Sequence, residues 1–319
     1  MPRPSLDCSG SVSPTRWLVL GGTGFIGRQV ASQLCAQGQT IWVVARNRDV
    51  LAVQPQTHLI DLDLLHGKNL PQVLGDVQAD VVINCVGYGI DRGESDERTA
   101  EQINAWLPRH LVECVRSTST QPQRPCVLVH LASEFERRQP GGVYGRTKRL
   151  GTENYVTACR QLGVCGVAVR LFTVYGPGEH AGRLLPSLLQ HALDDELIKL
   201  TDGQQLRDFT FVEDVATGIL RLAKSNFAPG EIVELGTGEN TSVREFALQA
   251  ARTLGIEPVR LQFGALPRRA EDIEGTFSPA DTTRLDELTA WRPATTIVEG
   301  VTRTMLRRSP RGARPAETS

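Results

Sequence analysis

Residues 17–27 constrain this chain more than any other stretch. An apolar run, Trp17 to Leu20, is followed at once by Gly21, Gly22, Gly24 and Gly27. Four apolar residues bounded by glycine read as a buried strand, and from Phe25 to Ala36 the recurrence of Ile26, Val30 and Leu34 on one face predicts a helix. Strand, glycine turn and helix, in that order, are the context in which Gly21-x-x-Gly24-x-x-Gly27 acts as a dinucleotide fingerprint; outside it the same glycines serve plain strand-to-helix turns. A turn without side chains lets backbone N–H groups approach a diphosphate. The helix N-terminus, entered at Phe25 and Ile26, adds partial positive charge. Gly21, Gly24, Phe25, Ile26 and Gly27 are therefore the first candidate cofactor-binding residues.

The chain then alternates. A second strand is expected over residues 40–45. In dinucleotide folds an acid about 20 positions past the glycines binds the adenosine ribose, whereas an Arg accommodates a 2′-phosphate. Arg46 takes that place here and the nearest acid, Asp49, comes later, which favours NADP(H) and leaves NAD(H) possible. A short third strand near residues 58–60 ends at Asp61-Leu62, where an adenine can stack and hydrogen-bond. A fourth, residues 81–85, ends in Cys85-Val86-Gly87, small enough to let a cofactor pass. A long helix is expected over residues 94–116 with a kink at Pro108. The fifth strand, residues 126–131, is a near-continuous apolar run that delivers Ser133 and Glu134 to the carboxyl edge of the sheet. A helix opening around Tyr144 and running to Leu162, then a strand over residues 167–171, complete the pattern of a Rossmann-type doubly wound parallel sheet.

After Tyr175-Gly176-Pro177-Gly178 the character changes. Helices are expected over residues 184–193, 212–224, 243–253 and 295–308, separated by short strands, with Ser242 an N-cap and Glu245 in the first turn behind it. The division this suggests is a disordered segment 1–15, a dinucleotide-binding domain 16–175, a smaller α/β substrate lobe 176–306 and a disordered tail 307–319. Some segments of the lobe return to the first sheet, and the lobe walls a cleft at the strand carboxyl ends.

Composition excludes several classes. A net charge of −1 over 319 residues gives no electrostatic reason for a nucleic-acid or membrane partner. No apolar run reaches the ~18 residues of a membrane helix, and residues 1–15 lack the apolar core of a signal peptide. The seven cysteines are odd in number and never spaced Cys-x-x-Cys. That argues against a disulfide framework or a metal site and suits a reducing cytoplasm.

The chemistry is expected at Ser133, Tyr144 and Lys148. Tyr and Lys at i and i+4 share a helix face. A nearby ammonium favours phenolate, lowering a phenol pKa that is ordinarily ~10. Such a Tyr exchanges a proton with a substrate hydroxyl or carbonyl while hydride moves to or from a nicotinamide, and Ser133 orients the oxygen.

Taken together, the glycine turn, Ser133, Tyr144-x-x-x-Lys148 and the Tyr175–Gly178 turn resemble the extended short-chain dehydrogenases/reductases. More narrowly, they resemble the nucleotide-sugar epimerase/dehydratase group. Residues 200–215, Trp291-Arg292-Pro293 and Glu299-Gly300 are similar to its substrate-lobe signatures. The resemblance implies a nucleotide-diphosphate sugar as substrate, with Arg207 and Arg269 on positions that contact its diphosphate. It also implies Asn104 near the active site, and homodimers formed through helices that include the Tyr144–Leu162 region. Thr173 stands where many members carry Asn. Glu134 is a lone candidate acid where dehydratases carry two, Phe135 replacing the second. Residues 104–108 and the Leu200-Thr-Asp-Gly run look like CDP-abequose and CDP-paratose synthases. A 4-ketoreductase acting on an NDP-4-keto-6-deoxyhexose, with Tyr144 as proton donor, is therefore favoured. A 4-epimerase with tightly held NAD is the alternative, ahead of a dehydratase or a catalytically inactive nucleotide sensor.

Overall fold

The structure is a computed structural model that describes residues 15–45, 57–61, 69–89, 93–118, 126–137, 142–192, 194, 196–268 and 278–307. Its first half lays down six strands: β1 (Trp17–Leu20), β2 (Ile41–Ala45), β3 (Thr57–Asp61), β4 (Val81–Asn84), β5 (Val127–Ser133) and β6 (Gly166–Leu171). Helices α1 (Phe25–Ala36), α2 (Leu70–Val77), α3 (Glu97–Ala100), α4 (Leu107–Thr118) and α5 (Val143–Leu162) lie between them. The second half adds β7 (Thr173–Tyr175), α6 (Leu184–His191), β8 (Ile198–Leu200), β9 (Leu206–Arg207), β10 (Phe209–Phe211), α7 (Val212–Ala223), β11 (Glu231–Leu235), β12 (Thr241–Ser242), α8 (Val243–Thr253) and β13 (Leu261–Phe263). Two helices, Thr283–Thr289 and Ile297–Arg307, close the described chain.

Seven strands form one parallel sheet in the order β11-β6-β5-β4-β1-β2-β3. The order reverses between β1 and β4, which opens a crevice at their carboxyl ends. Because both faces are covered, side chains alternate between two cores along each strand. Trp17 and Val19 of β1, with Val127, Val129 and Leu131 of β5, pack with α1 and α7. Leu18 and Leu20, with Leu128 and Ala132, pack with α2, α4 and α5 on the opposite face. The doubly wound sheet expected from the apolar runs is thus present. β11 and α7, from the second half, complete it.

The remainder packs around Tyr175, Phe209, Phe211 and Phe246, with Leu185 and Leu188 of α6 and Ala247 and Ala250 of α8. Three small ribbons, β7/β10, β9/β12 and β8/β13, tie these pieces together. Ser242 caps α8, accepting the Glu245 N–H at 3.0 Å, as the sequence predicts. The Tyr175 hydroxyl donates to the Thr296 carbonyl at 3.3 Å, and a Cβ on Gly300 would overlap that hydroxyl. The last helix therefore seats directly on the end of β7.

One expected element differs. In place of one helix over residues 94–116 bent at Pro108, three segments follow one another: α3, a π-helical stretch Glu101–Trp106, and α4. The irregularity lies a turn ahead of the proline. Pro108 has no N–H to give the Asn104 carbonyl and its ring crowds that oxygen. The backbone widens instead, and the Leu107 N–H reaches back five residues to the Gln102 carbonyl. The Asn104 carbonyl projects at α5, where a Cβ on Gly151 would overlap it. No helix among the described residues is long and apolar enough to cross a membrane.

Candidate active site

The glycine turn sits at the carboxyl end of β1. Gly21 has a φ of +71°, open to glycine at no steric cost, and a Cβ there would press the Cys85 backbone at 3.3 Å and Val86 at 3.2 Å. A Cβ on Gly27 would overlap the Gly21 carbonyl oxygen, so the helix approaches the turn only because this residue has no side chain. Gly24 is the N-cap of α1 in extended conformation. No side chain caps this helix and no acid stands in its first turn. Its leading N–H groups, from Phe25 and Ile26 onward, are left for an external anion. Arg28 folds back over the turn, donating to the Thr23 carbonyl at 3.0 Å and the Gly24 carbonyl at 3.3 Å.

Cys85 and Val86 leave β4 next to this turn. The Cys85 N–H bonds to the Leu20 carbonyl at 3.0 Å, and the Val86 N–H to Asn84 Oδ1 at 3.1 Å. Gly87 is exposed just beyond. The crevice therefore gathers Gly21, Gly24, Phe25, Ile26, Gly27, Cys85, Val86 and Gly87. An uncapped helix end beside a side-chain-free turn fits the diphosphate of a dinucleotide. Asp61 ends β3, paired with Ala45, the last residue of β2. Arg46, Leu62 and Arg269 lie outside the described residues.

Across the crevice stand Ser133, Tyr144 and Lys148. Ser133 is the last residue of β5; Tyr144 and Lys148 lie in the first turns of α5, behind Gly142. The Tyr144 hydroxyl is hydrogen-bonded to Ser133. Lys148, 3% exposed, donates from Nζ to the Leu131 carbonyl at 2.5 Å. Burial lowers its pKa to about 8, opposed by the Glu136 carboxylate and by Cys85. Burial raises Tyr144 to about 12; the Ser133 hydrogen bond and Arg183 pull it down, while Glu136 and Glu134 push it up. The expected depression of this phenol is therefore absent. Desolvation outweighs every nearby charge, and the Lys148 ammonium is turned to a carbonyl. The phenol therefore carries its proton at neutral pH, the state in which it can act as a donor.

Ser133 owes its place to Glu136, which the sequence reading missed. After β5 a short 3₁₀ turn, Glu134–Arg137, bends the chain. Glu136 Oε1 accepts the Ser133 N–H at 3.0 Å and the Thr152 hydroxyl at 2.8 Å, and Oε2 accepts from Arg170 at 3.4 Å. Arg170 bonds to Glu234 at 3.3 Å, and Arg137 pairs with the same carboxylate. Arg170 and Glu234 are cross-strand partners in β6 and β11. A charge in the middle of each of two apolar strands was the available signal.

Other expected residues separate into those at the site and those behind it. Glu134 is 7% exposed and close enough to Tyr144 to raise its pKa. Thr173 opens β7, two residues beyond Leu171, the β6 partner of Ser133. Arg207 is 7% exposed in β9, donating to the Leu206 carbonyl at 2.7 Å. Asn104 departs from expectation. It is fully buried, its Oδ1 accepting the Tyr88 N–H at 3.0 Å and its Nδ2 donating to the Tyr88 carbonyl at 2.8 Å and the Thr147 hydroxyl at 3.0 Å. With its amide so engaged it braces the helix that carries Tyr144.

The sequence model of the NAD dependent epimerase/dehydratase family matches residues 17–236. The chain is 28% identical over 311 residues to dTDP-6-deoxy-L-talose 4-dehydrogenase (NAD(P)(+)) of Kitasatospora kifunensis, covering 91% of this chain and 94% of that one. It is 25% identical over 291 residues to CDP-abequose synthase of Salmonella muenchen, covering 89% and 94%. Among solved structures, UDP-glucose 4-epimerase of Thermotoga maritima, crystallised with UDP-glucose, superposes with a TM-score of 0.78 at 18% identity, covering 92% of this chain and 98% of that one. This last likeness bears on fold alone.

Proposed function

The chain belongs to the NAD dependent epimerase/dehydratase family, and from that premise we propose that it reduces a keto group on a nucleotide-diphosphate sugar, at C4 of an NDP-4-keto-6-deoxyhexose. The observation that carries this reading is Tyr144, hydrogen-bonded to Ser133 at the carboxyl end of β5 and one helical turn from buried Lys148 in α5. The named relatives, a 4-dehydrogenase and CDP-abequose synthase, match along about nine-tenths of their lengths and support it.

Ser133 Oγ and Tyr144 Oη hold the C4 carbonyl oxygen between them. The glycine turn and the Cys85-Val86-Gly87 segment would hold a reduced nicotinamide dinucleotide, which would supply the hydride. As hydride reaches C4, Tyr144 passes its proton to the oxygen and a hydroxyl forms. The phenolate left behind is stabilised by the Ser133 hydrogen bond and by the charge of Arg183 until solvent returns the proton. Arg207, with Arg269, holds the sugar-nucleotide diphosphate, a task suited to planar guanidinium groups. Thr173 and Glu134 line the sugar. Arg46, next in sequence after β2, favours NADP(H) as the reductant.

The test is on purified protein. Bound dinucleotide is released by denaturation and identified by mass, and reduced-nicotinamide consumption is followed with dTDP- and CDP-linked 4-keto-6-deoxyhexoses. Empty protein that consumes NADPH and yields a C4 hydroxyl meets the proposal. Tightly held NAD with interconversion of C4 epimers overturns it in favour of an epimerase. Binding without turnover of any NDP-sugar overturns it in favour of a nucleotide sensor.

A further inference from the structure

We propose that Glu179 is a dinucleotide-binding residue that meets its ligand as a neutral carboxylic acid, donating the Oε2 proton to a diphosphate or ribose oxygen. The inference rests on the dinucleotide reading above and assigns a new residue to that site.

Glu179 follows the Tyr175-Gly176-Pro177-Gly178 turn. This turn is clasped to the first turns of α1, because Gln29 Nε2 donates to the Pro177 carbonyl at 3.1 Å. Gly178, at a φ of +89°, lies so close to Arg28 that a Cβ would meet Nη1 at 3.0 Å. The Glu179 N–H closes back on the Gly176 carbonyl at 3.2 Å. The side chain reaches Arg183, the N-cap residue of α6, while its backbone follows directly on the Gly178–Arg28 approach to α1. Arg183 is itself near enough to Tyr144 to bias its ionisation. Through its neighbours Gly178 and Arg183, Glu179 thus links the first turns of α1 with the surroundings of Tyr144.

Its carboxyl is 7% exposed. Oε1 is 3.7 Å from Arg183 Nε, an ion pair too long for a hydrogen bond, and buried Oε2 has no hydrogen-bond partner among the described residues. The charged or titratable groups around it are Arg183 from α6, Arg28 from α1 across Gly178, Tyr144 from α5 beyond Arg183, and exposed His180 next in the chain. Among the described residues, Arg183 is the one within ion-pair reach. A buried carboxylate with one oxygen unbonded is a costly anion, and a diphosphate drawn to α1 makes it costlier. A neutral acid escapes both penalties but needs an acceptor for its proton. Phosphoryl and ribose oxygens are such acceptors. Burial raises the Glu179 pKa to about 7, with Arg183 and the Gly176 backbone opposing only in part, so both forms are accessible near neutrality.

The experiment is a binding titration of NADH, whose diphosphate does not titrate near neutrality, followed by nicotinamide fluorescence at pH 6.0 and 8.5. If only the protonated form binds, affinity falls about tenfold per pH unit above the free-protein pKa, or roughly 10- to 30-fold across this interval. Glu179→Gln, which keeps a donor and cannot ionise, is expected to bind at pH 8.5 as wild type does at pH 6.0. Glu179→Met, of similar size and without a donor, is expected to bind weakly at both. A wild type without pH dependence, or a Glu179→Gln variant that keeps it, overturns the proposal. pH dependence seen with UDP and not with NADH overturns the assignment to the dinucleotide. Wild-type protein that binds neither NADH nor NADPH overturns the dinucleotide reading itself, a distinguishable result.

Discussion

Glu136 accepts the backbone N–H of Ser133 at 3.0 Å, so the residue expected to orient substrate is fixed by a carboxylate three positions further on. The same carboxylate opposes the desolvation of Lys148 and reaches Arg170. One buried charge thus positions the serine and supports the ammonium.

Removing that charge separates the two effects. Glu136→Ala leaves the Ser133 N–H and the Thr152 hydroxyl without this acceptor and Arg170 with Glu234 alone, and is expected to lower stability by roughly 1–3 kcal/mol in urea unfolding. Glu136→Gln keeps the acceptor but withdraws a charge that raises the Lys148 pKa. The alkaline limb of turnover, set near pH 8 by Lys148, moves to lower pH in this variant. An unmoved limb counts against Lys148 as its source.

Tyr144→Phe removes the proton donor while keeping the ring that meets Phe135 edge-on at 5.8 Å. Turnover is expected to fall by roughly 10²–10⁴ while dinucleotide affinity changes little. Stopped-flow kinetics beside a binding titration measures both.

Gly27→Ala drives a methyl into the Gly21 carbonyl. Backbone cannot yield as a flexible side chain would, so dinucleotide binding is expected to be lost, together with about 1–3 kcal/mol of stability from overpacking. A variant that binds NADH or NADPH normally contradicts the placement of the diphosphate at this turn.

Glu179 also leaves a stability signature. Its folded pKa, about 7, lies above the ordinary 4.5, so the native state binds the extra proton between those values. Stability contributed by this group is fully present below pH 4.5 and is lost as pH rises through 7. Glu179→Gln is therefore expected to be more stable than wild type at pH 8, by roughly 1–3 kcal/mol, and little different at pH 4.5. Paired urea titrations read this without any ligand.

The sheet was legible because parallel strands covered on both faces leave near-continuous apolar runs, unbroken in β1 and interrupted once each in β5 by His130 and in β6 by Arg170. The glycine turn, Ser133 and Tyr144-x-x-x-Lys148 were legible because spacing alone places them on one sheet edge. The π-helical stretch before Pro108 was not, since a proline foretells a kink but not that the backbone widens over Glu101–Trp106 with the Asn104 carbonyl set against Gly151 of another helix. Glu136 was hidden in Glu134-Phe135-Glu136-Arg137, which reads as a solvated charge run until the fold brings Arg170 and Glu234 beneath it. The Tyr144 pKa went the other way from expectation because spacing reports a neighbouring ammonium and says nothing of burial.

The seat of the last helix on β7 has a practical consequence for anyone handling this chain. Gly300 fits under the Tyr175 hydroxyl with no room to spare, and Tyr175 begins the turn that carries Glu179. A truncation ahead of residue 297, or a bulky fusion that pulls this helix outward, would slacken a loop more than a hundred residues upstream. Preparations trimmed for crystallisation could then test as inert through loss of a distant latch, with every residue of the chemistry intact.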